Sequence, residues 1–205
     1  MMMSDNSLIF LSKNGDEIEP VKKEAFRYMG CKTDDENEEL EKLYDECLKE
    51  YKKVASYKAV YRLTDVNCKD NTEVKLGFCD IFSEALHKNL SDCVYAMVFA
   101  ATAGAGVDRL LLRYSKISPA HAVVVSAIAS SAVEVWCNEV NAEINKIYAT
   151  KPRFSPGYGN VSLKYQKDVL AYLDAEKKIG ITLSDAFIMT PAKSVTAFVG
   201  ITEKL

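Results

Sequence analysis

The sequence predicts a single α+β domain with a mixed, largely antiparallel sheet and packed helices. Three observations carry that prediction. Strand-like and helix-like segments interleave irregularly, several of them joined by tight turns instead of helical crossovers. Residues 94–101 form an almost continuous apolar run, which fits a strand covered on both faces and therefore central in the sheet. Residues 117–133 carry no charge and are rich in small side chains, as a buried helix is. With 205 residues and 48% hydrophobic content, one large domain over 1–205, preceded by a flexible tail at 1–6, accounts for the length.

The remaining composition narrows the partners. The 26 basic and 29 acidic residues leave a formal charge of −3, without the positive excess that binds phosphate backbones, so nucleic acid is not an expected partner. The uncharged run is shorter than the roughly 20 apolar residues that span a bilayer. It is also interrupted by Ser118, His121, Ser126, Ser130 and Ser131, so no membrane is expected. The first residues have neither a basic cluster nor a long apolar stretch, which argues against a secretory signal and for a cytoplasmic protein. Cys31, Cys47, Cys68, Cys79, Cys93 and Cys137 never approach a CxxC spacing, so they read as reduced, mostly buried thiols and no metal site is expected.

Taken in order, residues 8–11 suit a strand followed by the turn Asn14-Gly15-Asp16, and 21–29 suit a helix closed by Gly30. Thr33 and Glu36 have capping-box spacing. Leu40, Leu43, Tyr44, Cys47, Leu48, Tyr51 and Val54 then recur at helical period, with Glu38–Lys42 and Asp45–Lys49 one turn apart. Strands are predicted at 57–63 and 74–78 around a polar turn at 65–72, and a short helix at 83–90. Beyond the central strand come the turn at 102–106, a helix at 107–114, and a second at 119–148 stopped by Pro152. A loop at 151–161, a helix at 162–178 capped by Gly180, and strands at 186–189 and 195–201 complete the chain.

Few residues offer chemistry. The Gly104-Ala105-Gly106 turn either aims backbone amides at an anion or is a plain tight turn, and Arg109 stands where a dinucleotide fingerprint has its third glycine. His87 and His121 belong to no triad or ligand pattern and read as structural, and no catalytic residue is expected. Glu134 is the first charge after the apolar run, so it needs a partner or a cavity, unless it begins an exposed stretch with Glu139 and Glu143. The most specific segment is residues 151–160. There Pro156 fixes one backbone angle and Gly157 permits the positive φ of a type II turn, which holds Tyr158 and the neighbouring amides rigidly. Arg153 has the planar fork that binds a carboxylate in two places, or it forms a salt bridge on an ordered surface turn.

Arg153-Phe154-Ser155-Pro156-Gly157-Tyr158 resembles the adenosylmethionine-binding Arg-x-x-Pro-Gly-Tyr motif of the activation domain of cobalamin-dependent methionine synthase. The stretch from Gly180-Ile181-Thr182-Leu183 through Met189-Thr190-Pro191-Ala192-Lys193-Ser194-Val195 is similar to that family's Gly-x-x-Leu-Thr-Glu-Ser-x-x-Met-x-Pro-x-x-Ser-Val segment, in order and at the expected distance. Residues 100–134 resemble free-standing, shorter members, so the likeness is close over the C-terminal half and loose before it. The resemblance implies an activation domain-like fold and binding of S-adenosylmethionine. Arg153 would meet the methionyl carboxylate, and Ser155, Gly157 and Tyr158 would form the turn facing the adenosine. Glu134 matches a family acid near that site, and Ser130 stands one helical turn earlier, where the fused domains carry another acid.

The resemblance further implies an accessory module, not an independent enzyme, that supports reductive methylation of cobalamin. The corrinoid would be held by a partner, a cobalamin-dependent methionine synthase or a related corrinoid methyltransferase. An electron-donor protein supplies an electron and adenosylmethionine donates the methyl group. Two other readings are an adenosylmethionine or nucleotide sensor without methyl transfer, and an independent methyltransferase built on the Gly104–Gly106 turn.

Overall fold

The apolar run becomes β5 (Tyr95–Thr102), buried at seven of its eight residues. It lies between β2 (Ser56–Lys69) and β9 (Ser194–Lys204), with helices over both faces, and this double cover explains the absence of polar alternation. The computed structural model describes residues 7–31 and 37–204. The other strands are β1 (Ile9–Asn14), β3 (Glu73–Leu76), β4 (Asp80–Phe82), β6 (Tyr148–Thr150) and the short hairpin of β7 (Thr182–Leu183) and β8 (Met189–Thr190). The helices are α1 (Lys22–Tyr28), α2 (Glu38–Val54), α3 (Glu84–Leu90), α4 (Ala105–Ile117), α5 (Pro119–Asn145), α6 (Gln166–Tyr172) and α7 (Ala175–Ile179). The main sheet runs β4-β3-β2-β5-β9-β6, with β1 on the first half of β2. Every pairing in it is antiparallel, in keeping with the predicted class.

Two-residue alternation sorts the strands between two cores. Tyr57, Ala59, Tyr61 and Leu63 of β2, Met97, Phe99 and Ala101 of β5, and Ala197, Val199 and Ile201 of β9 pack against α1, α2, α4 and α5. Val60, Ala96, Val98, Ala100 and Phe198 pack on the opposite face against α3, α6 and α7. Among the described residues α5 is the one helix long and apolar enough to cross a membrane, yet more than half of its most apolar stretch is buried inside the protein. Trp136 fixes it to the sheet, its Nε1 donating to the Lys58 carbonyl at 3.1 Å. In the same core the Tyr51 and Tyr57 hydroxyls meet at 2.8 Å, and desolvation pushes Tyr57 up to about 12.

Several elements differ from the sequence expectation. β2 continues through the expected turn to Lys69, because Val66 alternates into the second core opposite Leu76, and only residues 70–72 turn. β4 was not anticipated, since Ile81 is the single buried residue of three. The cap of α2 is Asn37, whose side chain accepts from the Glu39 and Leu40 amides. The expected Thr33–Glu36 capping box and the 1–6 tail lie outside the described residues. α5 ends at Asn145, seven residues before Pro152, because Tyr148 is already paired with β9.

The helix expected over 162–178 is broken, with Asp174 in left-handed conformation at φ 47° between α6 and α7. A continuous helix would point Ala175 and Ile179 away from the side occupied by Val169, Leu170 and Leu173, and the break turns all five into one core. Residues 186–188 are exposed and form the tip of the β7–β8 hairpin in place of the expected strand. Gly104 is the N-cap of α4 and Gly106 lies in its first turn, both packed closely on neighbouring backbone. A Cβ at Gly104 would stand 2.8 Å from the Ser56 carbonyl oxygen, and one at Gly106 2.1 Å from that of Val54.

That contact reverses the sign of a familiar substitution. Glycine to alanine within a helix ordinarily stabilises by up to about 1 kcal/mol, but Gly106→Ala should destabilise by about 2 kcal/mol or more through overpacking. Urea unfolding measures it as a lower midpoint at unchanged slope, and an unchanged or higher midpoint would contradict the close approach.

Candidate ligand-binding site

The outer edge of β9 is only partly covered. β6 pairs with residues 201–204, and further along Lys151 N donates to Gly200 O at 2.8 Å. Phe154 N then donates to Phe198 O at 2.9 Å and Phe198 N to Phe154 O at 2.7 Å. Past Phe154 the edge is open at Ser194, Val195 and Thr196, which line a cavity of about 540 Å³ together with Glu134, Arg153, Ser155, Pro156, Tyr158, Gln166 and Met189. The predicted loop is thus stitched to the sheet, and its motif residues lie directly at the opening.

The type II turn forms as expected, with Tyr158 N donating to Ser155 O at 3.1 Å and Gly157 at φ 92°. Gly157 does not line the cavity. Its amide donates to Val161 O at 2.8 Å, and a Cβ there would come within 2.9 Å of Leu163 Cδ2, so its part is to hold the turn. The Tyr158 amide is used within the turn as well, which leaves the exposed Tyr158 ring to face the cavity.

Arg153 and Glu134 meet, as the salt-bridge reading of the loop had it. One guanidinium nitrogen donates to Glu134 Oε2 at 3.0 Å and the other to Asn138 Oδ1 at 2.9 Å. Arg153 is the more enclosed partner, its side chain 22% exposed against 48% for Glu134. Glu134 and Asn138 lie one turn apart on α5 and so present a carboxylate and an amide side by side. Asn138 was missed in the sequence, although its i+4 spacing from Glu134 was a usable signal. Glu134 and Tyr158 also line a second hollow of about 390 Å³ with Glu24, Arg27, Tyr28 and Asn138, so the two spaces adjoin at that pair.

Ser130 accepts from Lys193 Nζ at 2.8 Å, and Ser126 Oγ accepts from the same ammonium at 3.1 Å. Burial lowers the Lys193 pKa. A lysine therefore adjoins the position one turn before Glu134. Two further lining residues have unsatisfied atoms. Gln166 is 6% exposed and Thr196 2%, and neither Gln166 Oε1 nor Thr196 Oγ1 has a hydrogen-bond partner among the described residues. Neither is legible from the residues alone, because a glutamine at a helix start and a threonine in a strand read as ordinary.

Burial pushes Cys47 up to about 11 and Cys79 and Cys137 up to about 12. His121 is held by Ser118 Oγ at 2.7 Å and stacked on Tyr114. Among the described residues no group of three or more His, Cys, Asp or Glu side chains is placed to hold a metal ion. The cavity is lined by one ion pair, several polar residues and the apolar side chains of Pro156, Met189 and Val195.

Residues 32–204 match a family model described as vitamin B12 dependent methionine synthase, activation domain. Among solved structures, the crystal structure of the MetH reactivation domain bound to AdoHcy superposes with a TM-score of 0.77, covering 98% of this chain and 80% of that one at 14% identity. At that identity the likeness speaks for the fold. No curated protein matches the chain.

The buried thiols supply a check on this packing. At pH 8 a thiol raised to about 11 or more is about one part in a thousand thiolate or less. Cys47 and Cys137 should therefore resist iodoacetamide in the folded protein and react in denaturant, as counted by intact mass. Rapid labelling of Cys137 in the folded state would show that α5 parts from the sheet.

Proposed function

Because the chain belongs to the activation-domain family of vitamin B12 dependent methionine synthase, we propose that it binds S-adenosylmethionine in the cavity beside β9 and supports reductive methylation of a partner's cobalamin. The partner is a cobalamin-dependent methionine synthase or related corrinoid methyltransferase, and an electron-donor protein completes the system. The setting is cytoplasmic, and the chain acts as one unit. The observation that carries this reading is the convergence of Arg153, Glu134 and the Ser155–Tyr158 turn on one cavity.

The residues suit that ligand. A guanidinium has five donors, of which Glu134 and Asn138 engage two, so Arg153 can receive the methionyl carboxylate while keeping its anchor to α5. Glu134 then turns its charge toward the ligand's amino group. With Ser130 engaged by Lys193, Glu134 is the carboxylate left to face the ligand's positive charges. The Tyr158 ring and the Ser155–Tyr158 backbone offer a flat, partly polar wall to the adenosine. When bound, adenosylmethionine supplies an activated methyl group on a sulfonium sulfur. Methyl transfer from a sulfonium moves no proton, so on this reading Glu134, Arg153 and Tyr158 bind and orient the ligand.

Calorimetric titration with adenosylmethionine, adenosylhomocysteine and adenosine tests the reading. Arg153→Ala should lose about 1.5–3 kcal/mol of adenosylmethionine binding, the worth of a charge-assisted hydrogen bond, and should bind adenosine as the unaltered protein does. Unchanged affinity would remove Arg153 from the site. Binding that never leads to methylation of a reduced corrinoid partner would favour an adenosylmethionine sensor.

A further inference from the structure

We infer that Gln166 and Thr196 read the base of the bound nucleoside, selecting a ring that carries an amino group beside a ring nitrogen, as adenine does. This rests on the reading of the cavity as an adenosyl site and adds the residues that set its specificity. Folded proteins rarely leave a buried amide or hydroxyl oxygen without a partner, because each such group forfeits its hydration. Among the described residues five buried side-chain atoms are unsatisfied, and two of them belong to residues lining this one cavity. They come from separate elements, Gln166 from the start of α6 and Thr196 from β9, so no single local distortion accounts for both.

The position of the pair fits a base. Thr196 shares its side of the sheet with Phe198, which packs in the core that α6 covers, whereas Glu134 and Asn138 come from α5 on the other face. The cavity therefore has an ionic side and a neutral, hydrogen-bonding side, matching a ligand with a charged amino-acid end and a neutral heterocycle. The strand edge adds to this. Phe198 and Gly200 turn backbone groups outward to Phe154 and Lys151, and the two-residue period of a strand puts the N–H and C=O of Thr196 on that same open edge. A glutamine amide pairs with the amino group and neighbouring nitrogen of adenine through two parallel hydrogen bonds.

The test compares S-adenosylhomocysteine with its analogue carrying unsubstituted purine in place of adenine, using the intact protein and calorimetry. The unaltered protein should prefer the adenine compound by about tenfold. Gln166→Leu, similar in size and unable to hydrogen-bond, should lose that preference and keep its affinity for the purine compound. Its melting temperature without ligand should equal or exceed that of the unaltered protein, since an unsatisfied oxygen has been removed, whereas a purely structural glutamine would lower it. Thr196→Val, which keeps the shape of the side chain, provides the same comparison should Gln166→Leu not fold. Binding of the adenine compound with no preference, or a preference that survives in both variants, overturns this assignment alone. Failure of the unaltered protein to bind either compound overturns the adenosyl reading and this assignment with it.

Discussion

Two backbone hydrogen bonds between Phe154 and Phe198 hold the site in being. They attach the 151–161 loop to β9 as if it were one more strand residue, beyond the point where β6 stops. Strand geometry then dictates the rest. Residues 153 and 155 share a face, opposite the Phe154 ring that packs toward the second core, so Arg153 is delivered toward α5 where Glu134 and Asn138 wait. The open edge left at residues 194–196 becomes the cavity wall in place of an exposed pairing surface, with Ser155, Pro156 and Tyr158 of the loop lining the same cavity.

α5 contributes in a different way. Its upper part is apolar almost all round because it lies between the sheet and neighbouring helices, and polarity resumes where Glu134 begins to emerge. The small residues Ala127, Ala129 and Ala132 allow that close packing, and Trp136 locks the helix against β2. The carboxylate and Asn138 are thus fixed in azimuth by a buried helix, and the guanidinium is held between them before any ligand arrives. Such preorganisation reduces the ordering cost of binding.

Much of this was legible in the residues. The unbroken apolarity of β5 disclosed its central place, Pro156-Gly157 disclosed the turn, and two ordered motifs disclosed the family. What escaped was whatever depends on contacts distant in sequence. The extension of β2 past residue 65 hangs on Val66 finding Leu76, and the break at Asp174 on Ala175 and Ile179 having to rejoin a core already chosen by Val169 and Leu173. Gln166 and Thr196 were invisible for the same reason, since an unsatisfied oxygen is a property of what the fold fails to bring near it. Gly157 differs from them: it lies within the motif, and its requirement is conformational, with its amide donating to Val161.

The two sides of the cavity enter binding on unequal terms. Arg153 and Glu134 satisfy one another without a ligand, so a zwitterionic amino-acid group gains there only the difference between the ion pairs it forms and the one it disturbs. Gln166 and Thr196 are unsatisfied without a ligand, so a base that reaches them relieves a cost already borne by the folded chain. On the proposed reading both ends contribute to affinity, and the ion pair adds orientation and a requirement for the amino-acid end. Under the proposed adenosylmethionine reading, the sulfonium sulfur lies between the two ends and is positioned only when both are engaged.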